Sequence, residues 1–476
     1  MTKRVPGPSE AMPQAGKSRP GPGGDARARL ARRLRHLLAS GRFSRGVLVL
    51  VGGTGAAQLV VVGTSPILTR MYDPPDFGAY AVASSLLSIL ISVACLTYDF
   101  AIPLSESDDV AANVVALCMA VVIAFGLCTS LVLVLAGGPL LGLVGASALA
   151  PCMLLLPLGQ VGGGVAGVFR RWAVRTKSYP EIAANQFTQT GTLVVVQLAL
   201  GVPGAGAAGL LVGAVAGSVA GAGRLARVAW RSHAPSFRRV SRSGIREVAA
   251  RYRRFPVLAA PSNLLNSLGL QAPLLLVVAL YGAAVGGEFA LAQRVVALPA
   301  TLVTGAIGQV YTAEAAALVR EQGDLHALFA RTTRTIALMA VAPIGLMAVT
   351  APLLFGLVFG QDWDEAGLFA AILAPMYYLY FVANPTGATL DVLERQDLNL
   401  VREIVRIGLM GGAAALAMAA RLSPASGVAV VSLAGCLTYV VYGGLSWRAV
   451  TDHRHRLGIG GASAADPSPI AAEWRE

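Results

Sequence analysis

Arg294 is the side chain with the largest chemical consequence in this sequence. It stands about nine residues inside an apolar run covering 286–310, on the order of 13 Å from its start at helical rise. A cation near the centre of hydrocarbon costs roughly 2.5–3.5 kcal/mol, so it must face water, an acidic partner or an anionic ligand. Glu288, six residues earlier, offers one answer, a structural Arg–Glu pair that locks two helices. The other answer is a guanidinium lining a water-filled cavity, where it meets an anionic substrate. Amide side chains extend the polar inventory. Asn263, Asn266 and Gln271 lie along the run 256–281, Gln309 lies near the end of the next, and Gln186 and Gln189 open the run 182–202. Such groups either hydrogen-bond helix to helix or line a path for hydroxyl-rich solutes.

Two further charges sit at the ends of apolar runs and are gate candidates. Arg70 ends the first run, with Asp73 and Asp76 in the following turn; snorkelling to an interface also accounts for it. Asp99 ends the second run within YDFAIPLSESDD, as a helix-end carboxylate or as part of an inner gate. Other chemistries are excluded by placement. His36, His233, His326, His453 and His455 all fall in polar segments, so no imidazole is embedded in an apolar run. Cys95, Cys118, Cys128, Cys152 and Cys436 lie in apolar runs without metal-ligand spacing and read as small core residues. VGGGVAG lacks a preceding strand and a Lys-Ser/Thr pair, so it reads as helix packing rather than a nucleotide loop. No catalytic residue, metal or cofactor is expected.

The elements that must hold these residues are membrane helices. Hydrophobic residues make up 55% and charged residues 13% of the chain, against about a quarter charged in a soluble domain. Apolar runs recur at 47–69, 77–98, 110–136, 147–169, 182–202, 205–229, 256–281, 286–310, 335–359, 366–389, 399–420 and 425–447. Each is close to the roughly twenty residues that cross a bilayer. Of the 38 Lys and Arg, 31 fall in the tails or in every second gap, and Arg224, Arg227, Arg402 and Arg406 lie in runs within eight residues of such a gap; Arg70, Arg294 and Arg421 are the exceptions. That asymmetry places both termini and the alternate gaps in the cytoplasm. The net charge of +13 therefore serves orientation and anionic inner-leaflet lipids, not nucleic acid.

The expected fold is all-α, with about twelve transmembrane helices in two six-helix bundles around a central cavity. Residues 1–46 form a disordered basic tail plus a basic amphipathic helix at 26–40 that lies on the inner leaflet. Residues 47–230 form the first bundle, 231–255 a cytoplasmic basic loop, 256–447 the second bundle, and 448–476 a cytoplasmic tail. The two bundles are weakly alike. PILTRMYDPPDFGAYAV at 66–82 and PLLLVVALYGAAVGGEFALAQRV at 273–295 each carry a Pro late in an outward-going helix, a Tyr at the turn, then Phe and small residues. Six crossings per half make this a parallel repeat about an axis along the membrane normal. Pro66, Pro273, Pro299, Pro375 and Pro385 lie within the runs and kink them.

Several segments resemble Wzx-type polysaccharide flippases of the multidrug/oligosaccharidyl-lipid/polysaccharide exporter superfamily. They are SPILTRMYDPPDFGAYA at 65–81, YDFAIPLSESDDVAANVVAL at 98–117, RYRRFP at 251–256, GGEFALAQRVVALPATLVTGAIGQVY at 286–311, FGQDWDEAG at 359–367 and NPTGATLDVLERQ at 384–396. The resemblance implies a cationic central cavity and transfer of undecaprenyl-diphosphate-linked repeat units from the inner to the outer face of a bacterial plasma membrane. A polysaccharide polymerase and other glycan-assembly proteins are then candidate partners. Arg294, in the AQRV segment, would face the cavity and meet the diphosphate or an acidic sugar. A drug antiporter of the same superfamily, a membrane-embedded polymerase and a non-transporting scaffold remain as alternatives. The spans hold few acids for a cationic drug, and no large outer loop serves an enzyme.

Overall fold

The computed structural model describes residues 41–143 and 147–457, and all regular structure among them is helical. The long helices are α1 (Gly41–Leu68), α2 (Pro74–Val93), α3 (Asp108–Leu143), α4 (Leu155–Arg175), α5 (Tyr179–Gly201) and α6 (Gly206–Arg238). A short helix α7 (Arg242–Arg251) leads to α8 (Ala260–Arg320) and α9 (Leu325–Phe359). Then come α10 (Asp364–Ala383), the four-residue α11 (Thr389–Val392), α12 (Gln396–Ala419) and α13 (Pro424–Arg456). Gly282 breaks α8 with φ +88° and ψ 176°. Only glycine adopts such a backbone cheaply, so two limbs, 260–281 and 283–320, fold back on each other across a single residue. The described residues thus hold twelve long helical segments, in register with the twelve apolar runs. Among the described residues, seven helices are long and apolar enough to cross a membrane by length and composition, the two limbs of α8 counting as one. Helices α4, α5 and α12 carry more glycine, amide or charge, as in VGGGVAG, NQFTQT and REIVR.

The basic gaps differ from the sequence expectation. Segments expected as loops between spans are largely helical: α6 runs on to Arg238, the second limb of α8 to Arg320, and α13 to Arg456. A helix satisfies its own backbone in hydrocarbon, and basic residues at its C-terminal end complement the helix dipole. Nothing forces the helix to stop where the apolar run stops. Within 231–255, Ser241 caps α7 by accepting from the Gly244 N–H at 3.1 Å. The expected amphipathic helix at 26–40 lies outside the described residues.

The chain divides into two compact units, Met1–Val49 and Leu50–Glu476. The main core of the second unit joins residues from nearly every long helix. Tyr72, Phe77, Val82, Leu211, Val277, Phe289, Trp363, Phe369 and Val428 belong to one buried cluster. Helix α2 is the wedge of this core and packs along both limbs of α8, as well as on α4 and α6. Lipid is as apolar as a leucine side chain, so close backbone approach and interhelical hydrogen bonds do most of the joining. The α2–α8 contact has that character. Ser267 donates to the Ser88 carbonyl at 3.4 Å halfway along it, and Thr97 donates to the Phe255 carbonyl at 3.0 Å at its far end.

Candidate functional site

At the end of the bundle that the charge pattern assigns to the outside, α2 and α8 interlock. Prolines 74 and 75 start α2 at positions where no backbone N–H is needed. Gly78, one turn later, lies so close to α8 that a methyl group there would collide with the Ala283 carbonyl oxygen. Gly287 stands in the same relation to the Pro74 carbonyl. Gly78 matches Gly287, and Pro74 matches Ala283, at one sequence offset. The contact is therefore reciprocal, as across a local two-fold axis. This register also corrects the sequence pairing of the two segments. Tyr72 matches Tyr281, but Phe289 matches Tyr80, while Phe77 matches Gly286. Matching glycines fix the backbone approach, whereas aromatic positions drift because rings fill whatever space remains.

Trp363 completes this closure. Its ring is 1% exposed, its Nε1–H donates to the Thr69 carbonyl at 3.1 Å, and the Phe77 ring meets it edge-on at 4.9 Å. Asp76 accepts from the Ala207 N–H at 3.0 Å, at the N-terminus of α6, where a helix dipole favours a carboxylate. Arg70 is exposed and donates to the Pro66 carbonyl at 2.6 Å, one turn back in its own helix. Glu288 is half-buried, with one carboxylate oxygen buried and unbonded. Its charged neighbour is Glu365 at the head of α10, not Arg294.

Arg294 lies seven residues beyond Gly287, two helical turns or about 10 Å deeper. Seven residues return to nearly the same helix face, within about 20°. Arg294 therefore stands on the face of α8 that meets α2, below the interlock. It is half-buried, and among the described residues no acidic side chain forms an ion pair with it. Glu288, six residues away, is about 120° round the helix, which is why the Arg–Glu pair does not form. The matching position on α2 is Ser85, 2% exposed, so only one of the two matching helices brings a cation here.

A second polar cluster occupies the middle of α8, α10, α12 and α13. Arg406 of α12 donates through Nη2 to the Asn266 carbonyl at 2.8 Å, to Asn266 Oδ1 at 3.1 Å and to Glu403. Arg402 pairs with the other oxygen of Glu403 at 2.9 Å, and its guanidinium lies 4.6 Å above the Tyr442 ring. Beside this triad is a cavity of about 250 Å³ lined by Gln271, Gln293, Tyr377, Tyr380, Arg406 and Tyr439 among others. The structure thus brings Asn266 and Gln271 to one place. Asn263 is half-buried elsewhere on the limb, and Gln309 is exposed. Arg402 and Arg406 correct the charge pattern, which counted them with the inner side. They lie within α12, whose first half is the sequence QDLNLVREIVRI. The signal was the Arg402–Glu403–Arg406 spacing, which puts three charges on one helix stripe.

At the opposite end, acids and arginines pair within the N-terminal helices and α7. Asp99 accepts from Arg171 at 3.2 Å, and Arg171 lies 4.1 Å above the Phe100 ring. Asp108 pairs with Arg175 at 3.0 Å, Asp109 with Arg239 at 2.9 Å, and Glu106 with Arg251. The Arg251 guanidinium holds the Glu106 carboxyl below the usual glutamate range, chiefly through its hydrogen bond. These pairs pin the loop 94–107 and α7 to α3, α4 and α6. No group of three metal-ligating side chains occurs among the described residues.

Known proteins share this outline. A family model described as "Polysaccharide biosynthesis protein" matches residues 67–367. The succinoglycan biosynthesis transport protein ExoT of Rhizobium meliloti is 28% identical over 337 residues, 68% of this chain. The match spans 65% of that relative's length. Among solved structures, an inward-facing multidrug resistance MATE family transporter of the MOP superfamily superposes with a TM-score of 0.62 at 15% identity, covering 87% of this chain and 96% of that one. The lipid II flippase MurJ in an inward closed conformation gives 0.63 at 10% identity, covering 88% and 94%. At such identities these likenesses concern the fold alone.

Proposed function

The chain belongs to the polysaccharide biosynthesis protein family, and from that premise we propose that it is a flippase for lipid-linked glycans. In this reading it is a multi-pass membrane transporter rather than an enzyme, which the likeness to a succinoglycan transport protein supports. Its cargo, in this reading, is an undecaprenyl-diphosphate-linked oligosaccharide repeat unit carried from the cytoplasmic to the outer face of a bacterial plasma membrane. Twelve transmembrane helices in two bundles, 47–230 and 256–447, form the machine, with both termini in the cytoplasm.

The observation that carries the reading is Arg294. A half-buried guanidinium without an ion pair among the described residues, on the face of α8 that meets α2, leaves its desolvation cost unmet until an anion arrives. A diphosphate offers paired oxygens that a planar guanidinium engages bidentately. With the outer side closed at Gly78, Gly287 and Trp363, the substrate enters from the inner side. Release then requires α2 and α8 to part at the interlock. Glu288 and Glu365 lie beside this interlock, and Asn266 and Gln271 supply amides deeper in the bundle. A fold made of two halves in reciprocal contact suits such rocking.

The test is direct transport. Proteoliposomes carrying a fluorescent lipid-diphosphate-linked oligosaccharide in the inner leaflet are exposed to an external glycosidase. Faster appearance of cleavable glycan in the presence of the protein is the expected result. A rate equal to that of empty vesicles rejects the reading.

A further inference from the structure

The cavity between the limbs of α8 and helices α10, α12 and α13 has a lining unlike a packing defect. Gln293 lies eleven residues past the Gly282 break, Tyr377 thirteen past the start of α10 at Asp364, and Arg406 ten past the start of α12 at Gln396. At helical rise each is about 15–20 Å from a helix end, which is the middle of a bilayer. A void left by imperfect packing at that depth is lined by aliphatic side chains. This one presents two carboxamides, three phenols and a guanidinium. The Tyr377 and Tyr380 rings meet edge to face with centroids 5.9 Å apart, and Tyr380 and Tyr439 at 5.5 Å. They form a continuous aromatic wall.

Charge adds a second, independent observation. Glu403 is the one acid that pairs with both Arg402 and Arg406, so the triad keeps one positive charge uncompensated. Arg406 Nε is buried and has no hydrogen-bond partner among the described residues. A buried charged donor left unsatisfied is costly. The unspent donor capacity belongs to a residue that lines the cavity.

We propose that this pocket is a subsite for a single acidic pyranose ring of the translocated glycan. The inference rests on the flippase reading for its substrate and goes beyond it in assigning a ring-sized site distinct from the Arg294 face. Three features select that ligand. Aromatic faces receive the apolar C–H side of a pyranose, while Gln271 and Gln293 offer both donors and acceptors to its hydroxyls. A carboxylate on the ring meets the spare charge at Arg406. The volume of about 250 Å³ is enough for one substituted pyranose ring. The Arg402–Glu403–Arg406 triad, rather than Arg406 alone, sets the preference. Half of the cationic charge is already neutralised, so the site discriminates acidic from neutral rings without trapping the ligand.

The experiment uses the purified full chain in lipid nanodiscs, with methyl β-glucuronide and methyl β-glucoside as probes and saturation-transfer NMR as the readout. Wild type is expected to bind the glucuronide saturably and about tenfold more tightly than the glucoside, the effect of about 1.4 kcal/mol of charge preference. Ala297→Phe fills the pocket without touching the triad and should abolish binding of both probes. Gln293→Leu removes an amide at nearly constant volume and should weaken both. Arg406→Gln should bring the two affinities together, with Arg402 still holding Glu403. Equal affinity for the two probes in wild type overturns the proposal, as does undiminished glucuronide binding by Ala297→Phe or Gln293→Leu of native melting temperature. Glucuronide binding by a wild-type protein that moves no lipid-linked glycan keeps the pocket and removes the flippase. Unimpaired glycan transport by the filled Ala297→Phe variant removes the subsite and keeps the flippase.

Discussion

Trp363, in the turn before α10, donates its indole N–H to the carbonyl of Thr69, at the end of α1, across 294 residues of sequence and 3.1 Å of space. The bond ties the last turn of the first helix to the second half of the chain, directly above the Gly78–Gly287 contact. Both atoms are buried, so the bond is broken only when the two halves separate at this end.

Loss of that bond should loosen the closure. Trp363→Phe keeps an aromatic edge against Phe77 but loses the donor, worth about 1 kcal/mol. A shift of that size changes the closed-to-open ratio about fivefold. With native cysteines replaced, a Thr69→Cys probe, 7% exposed as threonine, should react correspondingly faster with an impermeant maleimide. An unchanged labelling rate would mean that Trp363 does not hold this end shut.

The glycine interlock predicts a stronger effect. Gly287→Leu places a branched side chain where the Pro74 carbonyl stands, and a backbone atom cannot move aside as a flexible side chain can. The closed state of the outer end should no longer form, with the Thr69→Cys probe labelled at least about tenfold faster, a change of about 1.4 kcal/mol. Transport should be lost at normal protein abundance. Gly78→Leu should behave alike because the contact is reciprocal. Wild-type labelling and transport in either variant would count against a lock at this point.

For Arg294, charge is the expected requirement. Arg294→Ala should abolish appearance of lipid-linked glycan on the outer face while membrane protein levels stay normal. Arg294→Lys should retain part of the activity, keeping the charge but not the planar fork. Glu288→Gln should not rescue Arg294→Ala, since the two side chains do not pair. Normal transport by Arg294→Ala at normal abundance would show that this guanidinium does not carry substrate.

The clamp between Glu106 and Arg251 has a defined pH window. Arg251 lowers the folded-state pKa of Glu106 below its ordinary 4.5. Its contribution is therefore fully present above that ordinary value and fades as the pH falls through the depressed one. Amide exchange in α7 should be unaffected by the pair's titration from pH 9 to pH 5, since that range lies above the ordinary glutamate pKa. Glu106→Gln should raise exchange there at neutral pH and cancel the acid-induced rise. An α7 that opens between pH 8 and pH 6 by way of this pair would contradict the assignment.

Topology is checked by single cysteines in a cysteine-free background. A cysteine at Val240, between α6 and α7, should react only with permeant reagent in intact cells. One at Asp362, beside the closed end, should react with impermeant reagent. The reverse pattern would invert the whole assignment.

Much of the architecture is legible in the sequence, because hydrocarbon imposes a local rule. Each crossing needs about twenty apolar residues and a self-satisfied backbone, and Lys and Arg mark one side. Twelve apolar runs therefore foretell twelve helical segments, and Arg294 announces itself by lying within one. Helix ends in water obey no such rule, so α6, α8 and α13 run past the ends read from apolarity. Relations between helices are likewise absent from a linear pattern. The sequence holds Gly78 and Gly287 among 54 glycines, and only the approach of α2 to α8 shows that these two interlock and cannot accept a methyl group. Glu288 and Arg294 look like partners at six residues apart, until helical pitch sends them to different faces. Arg406 looks like one more arginine near the inner side, until tertiary packing buries its Nε and sets Asn266, Glu403 and a cavity with three tyrosine rings beside it. Burial and facing direction arise from contacts between segments distant in sequence, and the tertiary structure alone decides them.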